Sequence, residues 1–123
     1  MQVPLPRIGS FTVLDTGEMT LSGRPLTAAL ASLEFEDISS DIPPETTYSS
    51  ADSYVEDLLH CHETRLRDQP NAVEEKYDAV GQMATVVVLK AVKSHFVDRK
   101  LRDGQFVLQF TDLHESNIFV DDQ

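Results

Sequence analysis

The chain has no tryptophan and one cysteine, Cys61, so neither an indole anchor nor an internal disulfide holds its core. Its five glycines give no Walker-type phosphate loop, and neither Gly9 nor Gly17 stands in glycine-rich phosphate-binding spacing. No apolar run approaches the ~20 residues that cross a bilayer, and no charged-then-apolar leader follows Met1. A soluble, intracellular and specifically cytoplasmic protein is therefore expected. Basic residues are scarce: 10 Lys and Arg stand against 21 Asp and Glu, a net charge of −11 that repels nucleic-acid phosphates and anionic membrane surfaces. Neither nucleic acid nor membrane is an expected partner. An acidic surface serves solubility and would also attract cationic compounds. At 123 residues and 41% hydrophobic content, the chain supports one domain with a modest core.

Several chemistries are excluded by spacing. No Gly-x-Ser-x-Gly nucleophile elbow is present. His62-Glu63-Thr64-Arg65-Leu66 begins like a zinc-protease helix but has Leu where the second His is required. His60, Cys61 and His62 are adjacent on a helical pattern and point in different directions, so they do not close on one zinc; Cys61 reads as a small buried thiol. Counted from Asp112, a calcium loop would need Gly at the sixth position and Glu at the twelfth, where Asn117 and Gln123 stand.

The pattern along the chain predicts a mixed fold. Phe11–Leu14 and Met19–Ser22 flank Asp15-Thr16-Gly17-Glu18 as a short hairpin. A long irregular connection over 23–47 follows, with one weak helical stretch from Leu26 to Leu33. Ser49 or Ser50 caps a helix that must stop before Pro70. A second helix spans about Val73 to Phe96, with Tyr77, Val80, Ala84, Val87, Val88, Ala91 and Val92 as its apolar stripe. Thr85-Val86-Val87-Val88 favours strand locally, but the sustained period wins. Residues 98–104 read as a charged, solvated connector.

The residues that carry chemistry come last. Phe106, Val107, Leu108 and Phe110 read as a buried strand, and Ile118, Phe119 and Val120 as another. Between them Asp112 and Asn117 stand five apart. In phosphotransfer loops an Asp so placed accepts the proton of the attacking hydroxyl, and the Asn five residues later offers its amide oxygen to Mg²⁺. His114 and Ser116 lie inside the loop, where His114 reads as a loop stabiliser through hydrogen bonding. Without a further signal, the same pair also fits a turn in which Asp and Asn bond to local backbone.

The run Phe106 to Asp121 resembles the catalytic segment of the aminoglycoside phosphotransferase family, in particular the phosphotransferase domains of filamentous fungi. The stretches Pro4 to Ser10, Arg24 to Thr27, Thr47 to Ala51 and Phe96 to Leu101 are similar to that group as well. In place of the family's usual His and Gly before the catalytic Asp, this chain has Phe110 and Thr111. The resemblance implies an α+β fold, a partial C-terminal lobe of a protein-kinase-like fold, mostly helical with a short hairpin at each end. It implies Asp112 as general base, Asn117 as metal ligand, ATP and Mg²⁺ as cofactors, and a small-molecule hydroxyl as substrate. On that plan residues 1–123 lack the N-terminal lobe and the segment after the catalytic loop, so the chain alone is expected to be inactive and to bind no cofactor tightly. An apolar face left uncovered is expected to promote self-association. The alternative is a non-enzymatic truncated product, or an acidic partner of a related full-length kinase.

Overall fold

In chain order the computed structural model, which describes residues 4–109, runs β1 (Pro4–Leu5), β2 (Ser10–Val13), β3 (Met19–Gly23), α1 (Ala28–Phe35), α2 (Ala51–Asp68), α3 (Lys76–Phe96) and β4 (Phe106–Val107). Helix and strand mix as α+β: among the described residues two antiparallel two-stranded sheets, β1–β4 and β2–β3, accompany three helices. The β2–β3 hairpin forms where expected. Gly17 takes φ 83° in its turn, a conformation open to glycine without steric cost, and donates to the Leu14 carbonyl at 2.8 Å. A bulge after Ser10 brings Gly23 opposite it. A Cβ on Gly23 would stand 2.5 Å from Ser10 Oγ and would push that hydroxyl off the Arg24 carbonyl to which it donates.

Each helix is bounded by local chemistry. Thr27 Oγ1 accepts the Leu30 N–H at 3.2 Å and fixes the start of α1. At the other end Asp37 adopts φ 56°, and the N–H groups of Asp37 and Ile38 return to the Glu34 and Leu33 carbonyls. This is a Schellman closure, and Ile38 packs on the cluster containing Leu33, as that motif favours. Ser50 Oγ accepts the Ser53 N–H at 3.3 Å to begin α2. Gln69 turns extended before Pro70 and ends it. Helix α3 starts at Lys76, three residues later than expected, because Asn71 is left-handed and Glu75 extended.

The core sits between α1 and α2: Leu30, Leu33 and Cys61 are buried together, with Ile38 and Ile42 from the connection packed on them. Arg24 holds that connection. Its guanidinium pairs with Glu34 and donates to the Ile42 carbonyl and to Ser40 Oγ, while its backbone N–H donates to the Pro44 carbonyl. Helix α3 lies antiparallel to α2, since partners fall along α3 as they rise along α2: Glu56 pairs with Lys93, Glu63 with Lys90 at 2.6 Å, and Arg65 Nη2 donates to Gln82 at 3.0 Å.

Three expectations need correction. The apolar stripe of α3 lies outward: Tyr77 is 87% exposed, Val80 61%, and Val87 and Val88 58% each, whereas Val86 is the residue buried. The opposite face carries Gln82, Lys90 and Lys93, and their bonds to α2 decide which side turns inward. Strand β4 is two residues long, and over the described part of the expected buried strand, 106–109, Val107 and Leu108 are exposed. It pairs with β1, in which Pro4 and the following Pro6 offer no N–H with which to extend the ladder. The 98–104 connector is not wholly solvated, because Arg102 is tied to α2.

Two stability outcomes follow from these contacts. Arg24→Ala should cost about 2–3 kcal/mol in urea unfolding, since it unpairs Glu34 and orphans the Ile42 carbonyl, against about 1 kcal/mol for the cap variant Ser50→Ala. Equal losses would show that Arg24 does not organise the connection. Thr64 is 1% exposed and its hydroxyl has no partner, unlike Thr85, which donates to the Gly81 carbonyl at 2.9 Å. Thr64→Val should therefore raise stability by about 1 kcal/mol; a lower urea midpoint would mean that the hydroxyl is satisfied in solution.

Candidate functional site

Asp112 and Asn117 lie outside the described residues, as do His114, Ser116, Phe110, Ile118 and Val120, and with them the expected convergence of the two polar side chains. The chain that leads up to these residues is held in place. After α3 the chain turns at Asp98, whose carboxylate accepts the Lys100 N–H at 2.8 Å and whose carbonyl accepts the Leu101 N–H at 3.0 Å. The Arg102 carbonyl then accepts the N–H of Ala51 at 2.9 Å. This satisfies one of the donors that the start of α2 leaves free. Arg102 Nε stands 2.7 Å from Asp52 Oδ2 in the first turn of the same helix. Gln105 takes φ 61°, and β4 follows. The segment leading into the 111–117 run is thus tied at one point to α2 and at another to β1.

Polar chemistry within the described residues gathers beside Tyr48. Its backbone bridges Ile8 in both directions, at 2.8 and 2.9 Å, and its ring lies 5.4 Å from that of Tyr54. Its hydroxyl donates to Asp57 Oδ2 at 2.7 Å. Burial, then the bond to Asp57, pushes the Tyr48 phenol far above its ordinary value of 10.0. The adjoining crevice, lined by Arg24, Leu30, Ile42, Tyr48, Asp57 and Cys61 among others, holds about 10 Å³, room for about one water. Burial and then Asp57 push the Cys61 thiol up too, outweighing Arg24. A thiol kept protonated is a poor nucleophile. Tyr48, Asp57 and Cys61 therefore form a structural contact between the connection and α2.

The His60, Cys61 and His62 side chains diverge. Cys61 faces α1; His60 stands 3.6 Å from Asp41 and 3.8 Å from Glu63; and His62 lines a groove of about 260 Å³ between α2 and α3 with Arg65 and Gln82. Among the described residues no cluster of three or more His, Cys, Asp or Glu is placed to hold a metal. No helix there is long and apolar enough to cross a membrane. Sequence reasoning gave no role to Arg24 or to the Tyr48–Asp57 bond. A lone Arg directly after Gly23 was the signal for the first, and the second joins residues nine apart across a helix start, which no periodicity reports.

Comparison with family models, with curated proteins and with solved structures gave no match.

Tyr48→Phe should cost about 1–2 kcal/mol, because it leaves Asp57 without its donor in a half-buried setting. With a folded pKa raised above the unfolded one, the stability that Tyr48 contributes is complete below pH 10.0 and is lost as pH rises from there toward the folded value. Unfolding monitored across alkaline pH should show that decline in the natural chain and less of it in the Phe variant. Identical slopes would show that the bond does not form.

Proposed function

We propose that this chain carries the catalytic loop of an ATP- and Mg²⁺-dependent phosphotransferase acting on a small-molecule hydroxyl, of the aminoglycoside phosphotransferase type, with Asp112 as general base and Asn117 as metal ligand. The observation that carries the reading is the Asp112–Asn117 spacing between two apolar runs, within a stretch that resembles the family's catalytic segment. The two-point tether of the preceding segment adds support, since a loop of this kind works only if its entry is held.

The donor set suits the cation. The amide oxygen of Asn117 is a hard donor, and Mg²⁺ takes six oxygens, the rest of which would come from phosphates, water and further carboxylates. ATP would supply the phosphoryl group, and Mg²⁺ held with it would neutralise the charge on the phosphate oxygens. Asp112 would orient the acceptor hydroxyl and take its proton as that oxygen bonds the γ-phosphorus, while the bond from the γ-phosphorus to the β–γ bridging oxygen breaks and ADP leaves. Asn117 would hold its amide oxygen toward the cation. One carboxylate and one amide bind a metal nucleotide weakly, so affinity for this chain alone is expected at the millimolar level.

A second reading, a non-catalytic interaction protein, is favoured by the uncharged outward face of α3. The two are separated by titrating the labelled chain with Mn²⁺ and ATP. Under the phosphotransfer reading, magnetic resonance signals of residues 112–117 broaden first and Asn117→Ala abolishes the effect, while turnover with aminoglycosides or choline stays at background. Broadening spread evenly over the acidic residues would overturn the reading.

A further inference from the structure

Helix α3 is apolar on two sides. Residues Tyr77, Val80, Ala84, Val87, Ala91 and Ser94 step by three and four along its outward face, and all six are exposed. A quarter of the chain's residues are charged, yet none of these six is. Among the described residues nothing covers them, and the shallow groove that Val80, Ala84 and Val87 help line measures about 600 Å³. A helix with apolar residues on opposite faces is normally packed on both. The alternating three- and four-residue step is the spacing with which one helix winds against another.

We propose that this face is where two copies of the chain meet, α3 against α3, antiparallel about a two-fold axis level with Thr85 and Val86. The side-chain sizes select that occupant and that direction. With the axis there, Tyr77 lies opposite Ser94 of the second copy, Val80 opposite Ala91, and Ala84 opposite Val87; on the flank Gly81 lies opposite Val88. Every layer sets a large side chain against a small one, the arrangement that fills a helix interface without voids or overlap. A parallel pair would stack Tyr77 on Tyr77 and Ala84 on Ala84, crowding some layers and emptying others. The contact is isologous, so it closes at two copies. It also brings two strongly acidic chains together along a strip that carries no acid. One helix pair falls below the ~1,200 Å² of an ordinary stable interface, so reversible association with Kd on the order of 10 μM is expected. The proposal does not depend on the phosphotransfer reading.

Sedimentation equilibrium of the natural chain between about 1 and about 200 μM should show a monomer–dimer equilibrium. Ala84→Glu puts a charge at the seam and should yield monomer throughout, with a urea midpoint unchanged at about 1 μM, where the natural chain is also largely monomeric. The register is read by oxidative crosslinking, where the buried Cys61 does not compete. A mixture of Ala84→Cys and Val87→Cys chains, or of Val80→Cys and Ala91→Cys chains, should form mixed disulfide dimers, and Ala84→Cys alone far fewer. Monomer at the highest concentration overturns the proposal, including the case in which hydrogen exchange finds the α3 face protected by residues 110–123. Dimers unaffected by Ala84→Glu overturn it, and so does preferential crosslinking of Ala84→Cys with itself.

Discussion

Arg24 is the point on which the irregular half of the molecule depends. The 36–47 segment has no regular structure, and its backbone polar groups need partners from elsewhere. One planar guanidinium reaches Glu34 on α1, the hydroxyl of Ser40 and the carbonyl of Ile42. The Arg24 carbonyl accepts Ser10 Oγ at 2.8 Å, and its N–H bonds Pro44. Hairpin, helix and connection therefore meet at one residue. Lysine, with a single point charge, could not serve the same set of acceptors in a fixed plane.

With the connection held, Ile38 and Ile42 can close over Leu30, Leu33 and Cys61, and α2 acquires an apolar neighbour on one side. Its other side is bound to α3 differently, through Glu56, Glu63 and Arg65 meeting Lys93, Lys90 and Gln82. Lys90, through its hydrogen bond, holds the Glu63 carboxyl below its usual range, so that link is complete above pH 4.5 and weakens as pH falls below it. With Val86 and these polar contacts taking up the α2 side, the other apolar residues of α3 are left on the far face. That division is what leaves Tyr77, Val80, Val87 and Val88 outward.

The same spine positions the approach to the chemistry-bearing run. The start of α2 receives the Arg102 carbonyl and ion pair, and the bridge from Ile8 to Tyr48 sits just before it. The two ends of the described chain, β1 and β4, are thereby brought together near the start of α2. The proposed phosphotransfer loop would begin there, on an entry strand too short to be held by β pairing alone.

What the amino-acid order determined by itself was local. Ser50 and Pro70 bracket α2, Gly17 turns the hairpin, Thr27 opens α1, and a period sustained over α3 overrides the strand preference of Thr85 to Val88; each rests on contacts between residues a few positions apart. The Asp112–Asn117 spacing is legible in the same way, being a feature of one short run. Tertiary structure alone decided which face of α3 turns inward, because Val86 and the outward valines are equally apolar and only ion pairs to a helix some thirty positions away distinguish them. It also decided that Arg24 is a hub and that Tyr48 bonds Asp57. Those contacts unite segments whose proximity is set by the packing of the whole chain, and periodicity reports which side of a helix is apolar without saying what stands against it.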